Sequence, residues 1–199
     1  MFLKKQIDKL NNKIYYKKVL ILNGFYNQIL GKGEKMSYAI GSFNMFKWGK
    51  DSNKDFDLLL ILGDILSGYS DFNSELIDLL NSYNTKIIAV RGNCDRNVDK
   101  LDFSMENLYI MTSINNKIFY LTHGHLYDRN SFPNIDYDVY VQGHSHVPMM
   151  EIDNNRLCLN PGSITLPRGG SSKSYIIYEN NTFYLKDVDT NTIIKEVEF

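Results

Sequence analysis

A chain of 199 residues, 43% hydrophobic and 13% aromatic, can bury a full core and reads as a single domain over 1–199. Its 22 Lys and Arg against 23 Asp and Glu leave a net charge of −1, which excludes a strong nucleic-acid groove built on charge. The two cysteines, Cys94 and Cys158, are far apart and read as reduced thiols of a cytoplasmic protein rather than a disulfide scaffold.

In chain order, Leu3, Ile7, Leu10 and Ile14 recur at helical spacing with lysines between them. They predict an amphipathic helix over 1–16 appended to the domain surface, with a membrane- or partner-binding helix as the other reading. No apolar run approaches the ~20 residues of a membrane-spanning helix, and the opening MFLKKQIDKL lacks the apolar stretch of a secretory signal. KVLILNG (18–24) reads as a strand ending in a turn, and SFNMFKW (42–48) as helical. DLLLILGD (57–64) is a continuous apolar run, as expected of a strand covered on both faces. FNSELIDLLNSY (72–83) predicts a helix capped by Asn73 or Ser74. KIIAVRGN (86–93), KIFYLTHG (117–124) and YDVYVQGH (137–144) repeat the buried-strand pattern. Short strands follow in RLCLNPGS, SYIIYEN, TFYLKDV and TIIKEVEF. Early strands alternate with helices and late strands form hairpins, so the fold class is α/β with mixed sheets. Asn, Lys, Ile and Tyr are abundant enough to suggest codon bias, so a single Asn or Lys carries little weight.

All four histidines sit in two short stretches, FYLTHGHLYD and YVQGHSHVPM. Four apolar runs end alike: Gly63-Asp64, Gly92-Asn93, His123-Gly124-His125 and Gly143-His144-Ser145-His146. In an α/β sheet the carboxyl ends of strands share one edge, where ligands bind, and glycine there lets the chain turn and aim its neighbour into the cleft. A carboxylate, an amide oxygen and imidazoles gathered this way suit Mn, Fe, Zn or Mg. Taken singly, each residue would pass for an ordinary turn-facing polar group. The set points to a metal site.

LLILGDIL, VRGNCD, LTHGH, VQGHSH and LNPGS occur in the order found in the calcineurin-like metallophosphoesterases, and the wording is most similar to the YfcE-type bacterial phosphodiesterase group. The likeness extends over about 57–199. It implies a four-layer sandwich of two mixed β-sheets flanked by helices, a two-metal site, commonly manganese, and hydrolysis of a small phosphodiester by a metal-bound hydroxide. Asp64 resembles the carboxylate bridging both metals; Asn93, His123 and His144 resemble the other ligands of one, and His146 a ligand of the second. Cys94 takes the place where many members carry a histidine that protonates the leaving group, which points to diesters with better leaving groups, or else it fills space. His125 resembles a phosphate-facing or supporting residue, so the catalytic set implied is Asn93, Cys94 and His125. Gly162 and Ser163 shape a loop.

The likeness breaks at the start. Members open with a strand and Asp-x-His, both ligands of the second metal. Aligning KKVLILNGFYN on that segment places Gly24 and Tyr26 there, and aligning MSYAIGSF (36–43) places Tyr38 and Ile40. One metal is therefore well held and the second keeps only Asp64 and His146, with Glu34, Asp51 and Asp55 as further oxygen donors nearby in sequence. Three readings follow: a phosphodiesterase weakened at its second metal, a metal-binding pseudoenzyme serving as an interaction scaffold, or a sequence whose first motif is corrupted. Homo-oligomerisation stays open.

Overall fold

The computed structural model describes residues 16–23, 56–66, 72–128, 131 and 135–199, with 72–75 described by backbone alone. The helix expected over 1–16, the helical reading of SFNMFKW and the residues Gly24, Tyr26, Glu34, Tyr38, Ile40, Asp51 and Asp55 lie outside the described residues, Tyr16 excepted.

Two mixed sheets form the core. The first holds β1 (Lys18–Leu22), β2 (Leu58–Ile61), β3 (Lys86–Ala89), β9 (Ser174–Glu179), β10 (Thr182–Asp187) and β11 (Ile193–Glu198), in the order β11-β10-β9-β1-β2-β3. The second holds β4 (Tyr109–Ile114), β5 (Lys117–Thr122), β6 (Val139–Val141), β7 (Met149–Asp153) and β8 (Arg156–Asn160), in the order β4-β5-β6-β8-β7. Parallel pairing runs through β1-β2-β3 and through β5-β6-β8, and the flanking strands are antiparallel.

Alternation along each strand splits the apolar residues between two layers. Val19, Ile21, Leu58 and Leu60 meet Phe119, Leu121, Val139, Val141, Leu157 and Leu159 between the sheets. Leu20, Leu22, Leu59 and Ile61 point outward, against Ile77, Leu79 and Leu80 of helix α1 (Phe72–Asn81). Both faces of these strands are covered, which is why they read as unbroken apolar runs. The outer face of the second sheet carries Ile118, Tyr120, Tyr137, Tyr140 and Cys158, and no α-helix covers it among the described residues. Helix α1 already contains positions 73 and 74, so the caps expected there fall inside its first turn. No helix among the described residues is long and apolar enough to cross a membrane.

Strands β4 and β7 are absent from the sequence reading. Each is the partner of a strand that was read, joined to it by two residues: Asn115-Asn116 between β4 and β5, and Asn154-Asn155 between β7 and β8. Asn180-Asn181 joins β9 to β10 in the same way. All six asparagines have φ between 49° and 66°. Two successive left-handed residues make the tight hairpin turn whose twist suits the flanking strands, and asparagine tolerates it.

Candidate metal centre

The carboxyl ends of β2 and β3 in one sheet meet those of β5 and β6 in the other. After β2 the chain turns through Gly63 (φ 86°) and Asp64 (φ 57°). A buried carboxylate, Asp95, holds this turn: it accepts N–H bonds from Asp64 (2.8 Å), Ile65 (2.8 Å), Leu66 (2.9 Å) and Gly92 (2.7 Å). Gly92 lies so close that a Cβ on it would overlap Asp64 Oδ1. The role of Gly92 is therefore space, whereas at Gly63 the positive φ also counts.

Thus fixed, Asp64 accepts the Cys94 N–H at Oδ1 (2.8 Å) and turns Oδ2 to His123 Nε2 (3.3 Å). His123 Nε2 also faces Asn93 Oδ1 (3.1 Å) and His144 Nδ1 (3.2 Å). Its other nitrogen, Nδ1, lies 2.6 Å from the Leu62 carbonyl, which can only accept, so the proton sits on Nδ1. Asp64 Oδ2, Asn93 Oδ1 and His144 Nδ1 thus converge on His123 Nε2, a set of oxygen and nitrogen atoms that suits a cation. The donor atoms of Asp64, His123 and His144 all lie within 4.8 Å of one another. A divalent ion with ~2.0–2.2 Å bonds to oxygen and nitrogen fits a cluster of this chemistry, and the backbone bond at Nδ1 is the usual way a ligating histidine is oriented.

His144 (φ 59°) and His146 (φ 60°) are both left-handed, an unfavourable conformation for non-glycine residues that functional sites retain. His146 is buried and donates Nδ1–H to Leu166 O (2.8 Å), which leaves Nε2 as the acceptor nitrogen of its ring. Two further asparagines brace this loop. Asn160 donates to Gly143 O (2.8 Å) and Ser145 Oγ (3.0 Å) and accepts from Gly162 N (2.9 Å). Asn23, fully buried after β1, donates to Gly162 O (2.8 Å) while its Oδ1 rests against Gly143. Ser163 Oγ accepts the Leu166 N–H (3.0 Å), the loop-shaping part expected of it. His125 packs tilted against the others, its ring 5.3 Å from that of His123 and 6.2 Å from that of His144, with a buried Nδ1 that has no hydrogen-bond partner among the described residues.

Burial works to raise the Asp64 carboxyl, but the hydrogen bond and charge of His123, the Cys94 N–H and His144 outweigh it, and the net direction is down. Burial raises Asp95, its four N–H donors only partly offsetting this, and burial with the nearby Asp64 raises the Cys94 thiol. His125, His144 and His146 are all lowered from 6.5, first by burial and then by neighbouring cationic rings or Arg168. Neutral imidazoles are what metal ligation needs. In metal-free protein the unfolded chain takes up these protons first, so the stability they contribute is complete above about pH 6.5 and is lost as pH falls through the lower folded values. The melting temperature of chelator-treated protein should therefore fall between pH 7.5 and 5.5, and added metal should oppose the fall. An unchanged or rising midpoint would contradict this.

Residues 45–182, more than half of the chain, match the calcineurin-like phosphoesterase superfamily domain. The chain belongs to this superfamily. It is 34% identical over 151 residues to phosphodiesterase YfcE of Escherichia coli strain K12, a match covering 70% of this chain and 81% of that protein. The solved structure of E. coli YfcE, a phosphoesterase, superposes with a TM-score of 0.73 at 27% identity, over 91% of this chain and 98% of that one. Vps29 of Entamoeba histolytica, solved in complex with zinc, superposes with a TM-score of 0.64 over 91% of this chain and 98% of that one; at 19% identity it shows likeness of fold alone.

For this superfamily member, Asp64, Asn93, His123 and His144 are the residues the structure draws into one cluster, with His125, His146 and Cys94 around it. Sequence reasoning missed Asp95, Asn160 and Asn23. Asp95 and Asn160 stand inside quoted motifs, VRGNCD and LNPGS, and their signal was a polar residue amid a turn already marked as functional.

Proposed function

We propose that the chain is a single-domain, cytoplasmic phosphodiesterase acting on a small phosphodiester, with one firmly held divalent ion, manganese, and a weaker second one. The observation that carries this reading is the convergence of Asp64 Oδ2, Asn93 Oδ1 and His144 Nδ1 on His123 Nε2. Asp64, Asn93, His123 and His144 would hold the first ion, and Asp64 with His146 the second. A bound divalent pair acidifies water, orients it for in-line attack and neutralises phosphate oxygens.

The protein's own groups do the rest. Leu62 O and Leu166 O hold the Nδ1–H tautomers of His123 and His146. His125, kept neutral by burial and its neighbours, faces the phosphate. Cys94 keeps its proton at neutral pH, and a thiol is a weaker acid than an imidazolium. It therefore suits diesters whose leaving group departs without a strong acid. The cytoplasmic setting is supported by the two free thiols, Cys94 and Cys158. The relatives' names support hydrolysis over the scaffold reading, since the likeness to Vps29 is one of fold.

The test is metal content after manganese loading together with turnover of bis(4-nitrophenyl) phosphate. One tightly held ion per chain and slow, manganese-dependent hydrolysis are expected. Protein that binds the ion and hydrolyses nothing at any manganese concentration would overturn the enzyme reading in favour of the scaffold.

A further inference from the structure

Beside the metal cluster the chain carries a cation that none of these roles uses. Arg168 opens a tight turn, and both of its own main-chain polar groups are engaged. Its N–H donates to the His146 carbonyl (3.1 Å), and its own carbonyl accepts from Ser171 N (3.2 Å) and Ser171 Oγ (2.7 Å). Gly169 and Gly170, both left-handed at φ 65° and 73°, complete the turn. The backbone thus ties position 168 to His146, while the side chain is exposed.

The main-chain bond to His146 sets position 168 beside the loop that carries His144 and His146. Among the described residues no carboxylate pairs with the Arg168 guanidinium. The neighbouring cations are committed elsewhere: Arg96 Nη1 donates to Asn93 O (3.3 Å) and Asp95 O (2.9 Å), and Lys173 pairs with Asp189 (3.6 Å). A positive group held at the rim of an anion-processing site, with no carboxylate partner among the described residues, suits an anion. The planar guanidinium matches two phosphate oxygens at once, which an ammonium does not.

We propose that Arg168 is a specificity-determining residue that binds the substrate's phosphate through its guanidinium, on the side of the site bounded by His144 and His146. The inference rests on the phosphodiesterase reading above. Because the Arg168 side chain takes no part in the bonds that hold the turn, its variants should fold.

The experiment compares manganese-loaded wild type, Arg168→Gln and Arg168→Lys. It reads kcat and KM for bis(4-nitrophenyl) phosphate, the dissociation constant of inorganic phosphate by calorimetry, and the melting temperature. Arg168→Gln should raise KM and the phosphate dissociation constant about tenfold, equivalent to 1.4 kcal/mol, with kcat and melting temperature unchanged. Arg168→Lys should recover part of the loss, since it restores charge without the fork. A folded Arg168→Gln with unaltered KM and phosphate affinity, beside an active wild type, overturns the role of Arg168 and leaves the phosphodiesterase reading standing. A wild type that binds phosphate through Arg168 but hydrolyses no diester overturns that reading and leaves Arg168 as an anion receptor.

Discussion

An Asp95→Ala chain should be about 3–5 kcal/mol less stable than wild type and melt about 10 °C lower. The carboxylate is fully buried and accepts four backbone N–H groups at 2.7–2.9 Å. Truncation removes the acceptor and leaves four donors facing a cavity, and the cost of such orphaned groups exceeds the net worth of the bonds themselves. Burial already penalises the charge, as its raised pKa records, so replacing the whole arrangement would cost less than removing one side of it. The same substitution should weaken metal binding, because the left-handed Asp64 depends on those N–H contacts for its position. Asp95→Asn keeps one oxygen acceptor but turns an NH2 toward two N–H donors, and it should fall close to the alanine variant. Thermal melts and manganese titration of both variants check this. An Asp95→Ala protein that melts with wild type would show that water or a rearranged loop satisfies the donors.

Joint replacement Gly24→Asp and Tyr26→His should raise both metal stoichiometry and diester turnover. The reasoning is one of ligand count. Asp64, Asn93, His123 and His144 converge with donor contacts of 3.1–3.3 Å about His123 Nε2, enough to compete with hydration of one ion. A second ion would keep the shared Asp64 and His146, while glycine offers no side chain and a phenol with pKa ~10 must lose a proton to bind. If KKVLILNGFYN is the segment that aligns on Asp-x-His, adding a carboxylate and an imidazole there should bring the bound ions from one to two. It should also raise turnover by about a hundredfold, within the range that one transition-state charge contact commands. Metal analysis and initial rates at limiting and excess manganese read both quantities. A wild type that already binds two ions and turns over rapidly would mean that other residues complete the site, and two bound ions without faster turnover would place the limitation elsewhere.

The hairpins show how a discounted signal can hide structure. Taken singly, asparagine is compositional background, yet Asn115-Asn116, Asn154-Asn155 and Asn180-Asn181 each turn a hairpin with both residues left-handed. Read as pairs rather than singly, they mark β4 and β7, whose half-exposed residues show no apolar run. Strands β2 and β5 were legible for the opposite reason: burial on both faces writes an unbroken apolar stretch into the sequence.

For the site, the sequence by itself determined which residues could act. Asp64, Asn93, His123, His125, His144 and His146 follow glycine-marked strand ends, and the order of their motifs carries the superfamily likeness. Only the tertiary structure decided how they meet, because their contacts span 21 to 59 residues of chain, and those of His123 with Asp64 and Asn93 join strands of different sheets. The proton position on His123 is set by Leu62 O, 61 residues away, and Asp64 is aimed by N–H groups gathered on Asp95, 31 residues away. Hydrogen bonds and close approaches of this kind are made by side chains from strands that the sheets align. A local pattern records that such a residue is polar and follows a strand, and the packing of the two sheets determines what it faces.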